Sequence, residues 1–222
     1  NLISEGISKE FIFKFGSHMN EVIQKYKKKN LESKILEKNN LKKDKYLIVS
    51  LHREENVDDI DRLLKIIRQI ENIKTKLNIR ILLSTHPRTF KKLKKFKINS
   101  KKIEFFKPFG FFDYCKLQQN AYSVISDSGT IFEEASLLNF PAITIRETHE
   151  RMEGIEGGVV TICANTNLNI VDDIKFARRI RKKSNLIVNE YHALNVSEKI
   201  INVIQSYIPI INKKIWKKKK YN

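Results

Sequence analysis

A chain of 222 residues that is 41% hydrophobic, with Phe and Tyr spread along it, can bury a sizeable core, which excludes disorder as the default. No apolar run approaches the roughly 20 residues of a membrane span, and no signal-peptide pattern follows Asn1. Lys and Arg number 43 against 25 Asp and Glu, a net charge of +18, yet the basic stretches KYKKKN, KKLKKFK and KKIWKKKK lie in unrelated places with no RNP-like, zinc-finger or helix-turn-helix pattern beside them, so solvated faces are expected rather than a nucleic-acid surface.

In chain order, FIFKFG, ending in Gly16, reads as a short strand, and MNEVIQKYKKK as an amphipathic helix with Val22, Ile23 and Tyr26 on one side. LESKILEKNNLKKD reads as a short helix and a polar connection. KYLIVSLH is a continuous apolar strand of the kind covered on both faces. The helix VDDIDRLLKIIRQIENIK follows, starting near Asp58 or Asp59, with Ile60, Leu63, Leu64, Ile67 and Ile70 at helical spacing. IRILLSTH is a second buried strand, TFKKLKKF a short helix, KIEFFKPF a third strand and FFDYCKLQQNA a helix with Asp113 in its first turn. YSVISD is a fourth strand with TIFEEASLLN as its helix, PAITIR a fifth, and GVVTICA a sixth. NIVDDIKFARRIRKK and NVSEKIINVIQSYI close the chain as helices. Strands alternating with helices in this way predict a Rossmann-like α/β fold, a parallel sheet with helices on both faces. Cys115 and Cys163 lie far apart without metal-ligand spacing and are expected as reduced core thiols. Met19, Met152 and the aromatic run FFKPFGFF are expected in the core or a pocket wall.

In such sheets the ligand sits outside the carboxyl ends of the strands. Those ends carry His52-Arg53-Glu54-Glu55-Asn56, His86-Pro87-Arg88-Thr89, Pro108-Phe109-Gly110, Ser126-Asp127-Ser128-Gly129-Thr130, and Arg146 followed by ETHERMEG. SDSGT opening a helix offers backbone N–H groups and the positive end of the helix dipole to an anion, with Gly129 permitting close approach. The plainer reading is a helix cap by Ser126, Asp127 or Ser128. Glu133 and Glu134 point about 100° apart, so they cannot share a role. The one facing the ligand would suit vicinal hydroxyls such as a ribose. His52 fits a general acid/base or phosphate donor, or a His that closes a strand by bonding to backbone. No metal-ligand spacing and no GxSxG elbow is present.

VSLHREEN, STHPRT, KPFGFFDYCKLQQNA, SDSGTIFEEASLLNFPAITIRETHER and NVSEKIINVIQSY, in this order, resemble the non-hydrolysing UDP-N-acetylglucosamine 2-epimerases across essentially the whole chain. HREEN in place of HRREN, SDSGT in place of SDSGG, and LLNFPAITIR look like the branch that makes UDP-N-acetyl-L-fucosamine from a 6-deoxy UDP-sugar. The resemblance implies the C-terminal half of a GT-B-like fold, that of UDP-glycosyltransferases and glycogen phosphorylase. Residues 1–40 would be the crossover from an N-terminal domain, 41–190 the UDP-binding domain, and 191–222 a C-terminal helix and basic tail. It also implies isomerase chemistry: UDP is eliminated to give a glycal and re-added after C2 has inverted, without nicotinamide or metal cofactor. Such an enzyme supplies precursors for capsule or O-antigen polysaccharide in the cytoplasm and is a homodimer at full length.

Carried over by position, Ser128, Gly129 and Thr130 would hold the diphosphate, Glu134 the ribose hydroxyls, and Arg151 the phosphate region. Phe109 and Tyr114 would flank the uracil, and His52 would protonate or stabilise the leaving UDP. Arg53 and His86 would lie toward a regulatory nucleotide-sugar site. The family's HERPE reads His149-Glu150-Arg151-Met152-Glu153 here, so a rigid turn loses its proline. The acids that move the C2 proton belong to the family's N-terminal domain. With Asn1 rather than Met at its start, the chain is expected to be truncated, to bind UDP weakly and not to epimerise. The alternatives are the donor domain of a GT-B glycosyltransferase, which needs an acceptor, and a basic binding module without enzyme activity.

Overall fold

The computed structural model describes residues 1–146, 148, 150–163 and 170–218. Within the stretches read above, Glu147, His149, the end of GVVTICA, the start of NIVDDIKFARRIRKK and the last residues of the basic tail lie outside the described residues. In chain order the helices and strands are α1 (Met19–Lys25), α2 (Lys27–Glu32), α3 (Ile35–Lys38), β1 (Tyr46–Leu51), α4 (Glu54–Val57), α5 (Ile60–Leu77), β2 (Arg80–Thr85), α6 (Pro87–Lys95), β3 (Glu104–Phe106), α7 (Phe111–Asn120), β4 (Ser123–Ser126), α8 (Ile131–Leu138), β5 (Ala142–Thr144), α9 (Met152–Glu156), β6 (Thr161–Ile162), α10 (Ile170–Lys183) and α11 (Val196–Lys214). The chain forms two compact units, Lys25–Val188 and a smaller one of Asn1–Gln24 with Asn189–Asn222. Among the described residues no helix is long and apolar enough to cross a membrane.

The larger unit holds a parallel sheet of six strands in the order β3-β2-β1-β4-β5-β6. The β1 residues alternate between its faces with the strand period. Leu47, Val49 and Leu51 join Ile81, Leu83, Ile125 and Ile143 in a core with Leu63, Ile66, Ile67, Ile70 and Ile73 of α5 and Ile170, Val171, Ile174 and Ala177 of α10. Asp59 caps α5, its carboxylate accepting from the N–H groups of Asp61 and Arg62 at 2.9 and 3.1 Å. Asn78 ends the helix in the left-handed region. Tyr46, Ile48 and Ser50 turn to the other face. There the fully buried Tyr46 hydroxyl donates to the carbonyl of Leu117 at 2.7 Å. That carbonyl belongs to the last turn of α7, where helices leave acceptors without internal partners. Tyr46→Phe strips it of this donor, so equilibrium denaturation should show a loss of about 1–3 kcal/mol; an unchanged midpoint would mean the bond contributes nothing net.

Several local expectations are corrected. FIFKFG is no strand: a 3-10 turn covers Lys9–Phe11, and Phe13 meets Tyr207 of α11 edge-on with ring centroids 4.7 Å apart. Its apolar alternation serves packing on a helix. Gly16, at φ +91°, then turns the backbone where an added Cβ would stand 2.5 Å from the Cβ of Ala193 and 2.7 Å from the carbonyl oxygen of Glu190. In the same small unit the N–H of Ser17 donates to Glu190 at 3.0 Å, and Asn20 Nδ2 donates to the carbonyl of His192 at 3.2 Å. α11 runs through Pro209, past the end its sequence suggested, to Lys214. HREEN contains the short helix α4, and β6 is reduced to two residues. Met152 is 55% exposed on α9, outside any core, while Phe105 and Phe106 line a groove with Pro87, Phe90 and Pro108. Cys115 and Cys163 are buried free thiols, each pushed up to about 12 chiefly by burial, with the charges of Glu134 and Asp173 adding to it.

Candidate functional site

The strand order reverses direction between β1 and β4, since β1 is followed outward by β2 while β4 is followed by β5. At such a switch point the connections leave to opposite sides and open a crevice at the carboxyl ends. His52 follows β1 and Asp127 follows β4, so both stand at the mouth of that crevice.

Asp127 is fully buried and does not cap α8. It turns instead toward the end of β1. The N–H of His52 donates to its Oδ1 and Oδ2 at 3.1 and 3.0 Å, the N–H of Arg53 to Oδ2 at 2.9 Å, and Asn56 Nδ2 to Oδ2 at 3.2 Å. His52 Nδ1 lies 2.9 Å from Oδ1. Burial alone would raise this carboxyl, but the hydrogen bonds from His52 and the Arg53 amide outweigh it and hold it below the usual carboxylate range. The turn after it is closed by the Ser128 N–H on Ser126 Oγ at 3.0 Å, by Ser128 and Thr130 hydroxyls 2.9 Å apart, and by the Thr130 N–H on Ser128 Oγ at 3.4 Å. These bonds close the turn before α8; the N-cap of the helix is Thr130, not Ser126, Asp127 or Ser128, and its side chain makes no capping hydrogen bond.

The two acids of α8 separate as their 100° offset requires. Glu134 accepts from Thr130 Oγ1 at 2.7 Å and from Gln118 of α7. Burial pushes its carboxyl up, and the bonds from Thr130 and Gln118 pull the other way. Glu133 takes Arg151 Nε at 3.1 Å on Oε2. The guanidinium so held lies over the turn: a Cβ on Gly129 would stand 3.1 Å from its Nη1 and 3.3 Å from that of Arg146. Arg146 is 2% exposed, with Glu150 Oε1 at 3.3 Å from its Nη2 and its Nε buried without a hydrogen bond among the described residues. Two cations thus converge on a glycine at the start of a helix, the arrangement that holds a phosphate.

Tyr114, on the inner side of α7, is half-buried and hydrogen-bonds Ser50; burial and the charge of Glu134 push its phenol up. Phe109 precedes the same helix and packs on Phe106 with ring centroids 5.2 Å apart. His86 caps α6, its Nδ1 accepting the Arg88 N–H at 3.2 Å, and its ring centroid lies 5.7 Å from that of His52. Arg53 starts α4 with Nε buried and without a hydrogen bond among the described residues. Arg88 pairs with Glu54 at 2.8 Å and Asp58 at 2.7 Å, which ties α6 to the two ends of α4. Residue types alone had not assigned Arg146, Asn56 or Gln118 a part. The signal available was position: Arg146 lies just past the end of β5 and Asn56 closes HREEN, both on the ligand rim.

The family profile described as UDP-N-acetylglucosamine 2-epimerase matches residues 1–205. The UDP-N-acetylglucosamine 2-epimerase of Methanococcus maripaludis is 31% identical over 212 residues, covering 92% of this chain and 57% of that protein. The enzyme of the same description from Methanocaldococcus jannaschii is 33% identical over 193 residues, with 83% and 52% covered. Among solved structures, the UDP-N-acetylglucosamine 2-epimerase of Rickettsia bellii superposes with a TM-score of 0.84 at 38% identity, covering 98% of this chain and 59% of that one. The M. jannaschii enzyme in complex with UDP-GlcNAc and UDP gives 0.80 at 29% identity, covering 92% and 57%. The chain therefore spans little more than half the length of these relatives. It belongs to the UDP-N-acetylglucosamine 2-epimerase family.

Proposed function

We propose that this chain is the UDP-binding part of a UDP-N-acetyl-sugar 2-epimerase. The observation that carries the reading is the pairing of Arg146 and Arg151 over Gly129 with Glu134 one turn further along α8. Cations and the helix N-terminus take the diphosphate, and a desolvated carboxylate takes the ribose hydroxyls. Ser128 and Thr130 bound the phosphate turn, Tyr114 and Phe109 flank the base, and His52 meets the leaving diphosphate. The reaction breaks the C1–O bond as the C2 proton leaves, releasing UDP and a glycal; return of a proton to the opposite face of C2 and of UDP to C1 gives the epimer. His52 supplies the proton that the departing diphosphate needs. These 222 residues bind UDP without turnover, because they span little more than half of relatives that carry the whole activity. HREEN and SDSGT support a 6-deoxy UDP-N-acetyl sugar, UDP-2-acetamido-2,6-dideoxy-L-talose, as substrate and a role in surface polysaccharide synthesis. Glu54 of that motif is the residue that pairs with Arg88. The neighbouring Arg53 and His86 form a second nucleotide-sugar contact beside the site.

The test is a thermal titration of the chain with UDP, UMP, uridine and ADP. UDP at 100 times its dissociation constant should add about 2.7 kcal/mol, a shift of about 5–10 °C. UMP should give less, and uridine and ADP little. No shift with UDP, or equal shifts with UDP and ADP, would overturn the reading.

A further inference from the structure

The carboxylate of Asp127 has no ligand role in the epimerase reading, and its buried place at the end of β4 rules out a surface cap. The geometry points to Asp127 as the positioning residue that fixes the tautomer of His52, committing Nδ1 to the protein and leaving Nε2 to the ligand. The inference rests on the proposed nucleotide site only for what Nε2 meets.

A carboxylate buried to zero exposure must be met by donors on both oxygens. Oδ2 takes the amide of Arg53 and Asn56 Nδ2 at 2.9 and 3.2 Å, and the amide of His52 is shared between the two oxygens. Oδ1 then faces His52 Nδ1 at 2.9 Å. An ionised carboxylate only accepts, so Nδ1 must carry a proton. The carboxylate cannot swing away, because Asn56 braces it: Nδ2 also donates to the carbonyl of Ile145 at 3.3 Å, and Oδ1 of Asn56 accepts Arg62 Nε at 2.8 Å. This chain of contacts joins the start of α5, the end of β1 and the end of β4 to one imidazole. Proton exchange with a ligand must then run through Nε2: protonated there, His52 donates to a diphosphate, and deprotonated it accepts.

Asp127→Asn separates this role from that of a strand staple. Asparagine offers one acceptor and one donor edge. The backbone amides and Asn56 demand the acceptor, so its NH2 must turn to His52, which can then accept only as the Nε2–H tautomer. The readout is the imidazole 15N–1H correlation spectrum of the full chain above the histidine titration, assigned by loss of the signal in His52→Gln. The expected result is Nδ1–H in the wild type and Nε2–H in Asp127→Asn. A wild-type Nε2–H imidazole overturns the proposal whether or not the variant folds, and so does a folded variant that keeps Nδ1–H. Adding UDP to the wild type should move the Nε2 resonance. If UDP moves neither nitrogen while the tautomer is as expected, the nucleotide reading fails and the Asp127 assignment stands.

Discussion

Arg151→Ala lowers the affinity for UDP by about 10- to 150-fold, the loss of one charge-assisted contact of about 1.5–3 kcal/mol, and leaves uridine within about threefold. The size follows from how the guanidinium is held. Glu133, 8% exposed at its side chain, fixes Nε at 3.1 Å, so the other nitrogens are set over Gly129 before any ligand arrives. An arginine already oriented loses less rotamer entropy on binding a phosphate than a free one would. Glu133→Ala should therefore weaken UDP in the same direction by a smaller factor, since the cation remains but is no longer aimed. Isothermal titration of both variants with UDP and uridine makes the comparison. A parallel fall in uridine affinity would show that Arg151 supports the base site or the fold rather than the diphosphate.

That prediction depends on a contact which residue types could not reveal. Glu133 had no role in the sequence, since its partner Arg151 lies eighteen residues on, past β5 and the loop that follows it. The sheet itself was legible, because each buried strand is a continuous apolar run and each helix repeats near 3.6. The ligand rim followed from the sheet by one rule, and that rule placed His52, Asp127 and Arg146 together before any geometry. It could not say which way a carboxylate in SDSGT turns: a capping Asp and a buried Asp differ only in backbone direction after β4. FIFKFG failed for a related reason, since alternating aromatics describe a face but not its partner, which here is α11. α11 outran its expected end at Ile208 because a proline, as at Pro209, costs one helical bond yet need not end a helix.

α5 offers the sharpest test of how packing sorts residues that look alike in sequence. Its pattern singled out Ile60, Leu63, Leu64, Ile67 and Ile70. In the fold Leu63, Ile66, Ile67, Ile70 and Ile73 are buried, while Ile60 and Leu64 are half-buried. The apolar stripe is thus rotated and continues a turn further toward Leu77. Ile70, with no exposure, sits in mid-helix against the core that joins the sheet to α10. Ile70→Ala should cost about 2–5 kcal/mol, the transfer term plus the cavity, because the sheet behind it and α10 beside it cannot both close the gap. That is a large part of the about 5–15 kcal/mol that stabilises a domain. Leu64→Ala, at a position of the same apparent rank in sequence, should cost clearly less, since solvent fills the space it leaves. Urea unfolding with an unchanged m-value separates the two. Equal losses at both positions would mean that the stripe is centred where the sequence alone put it.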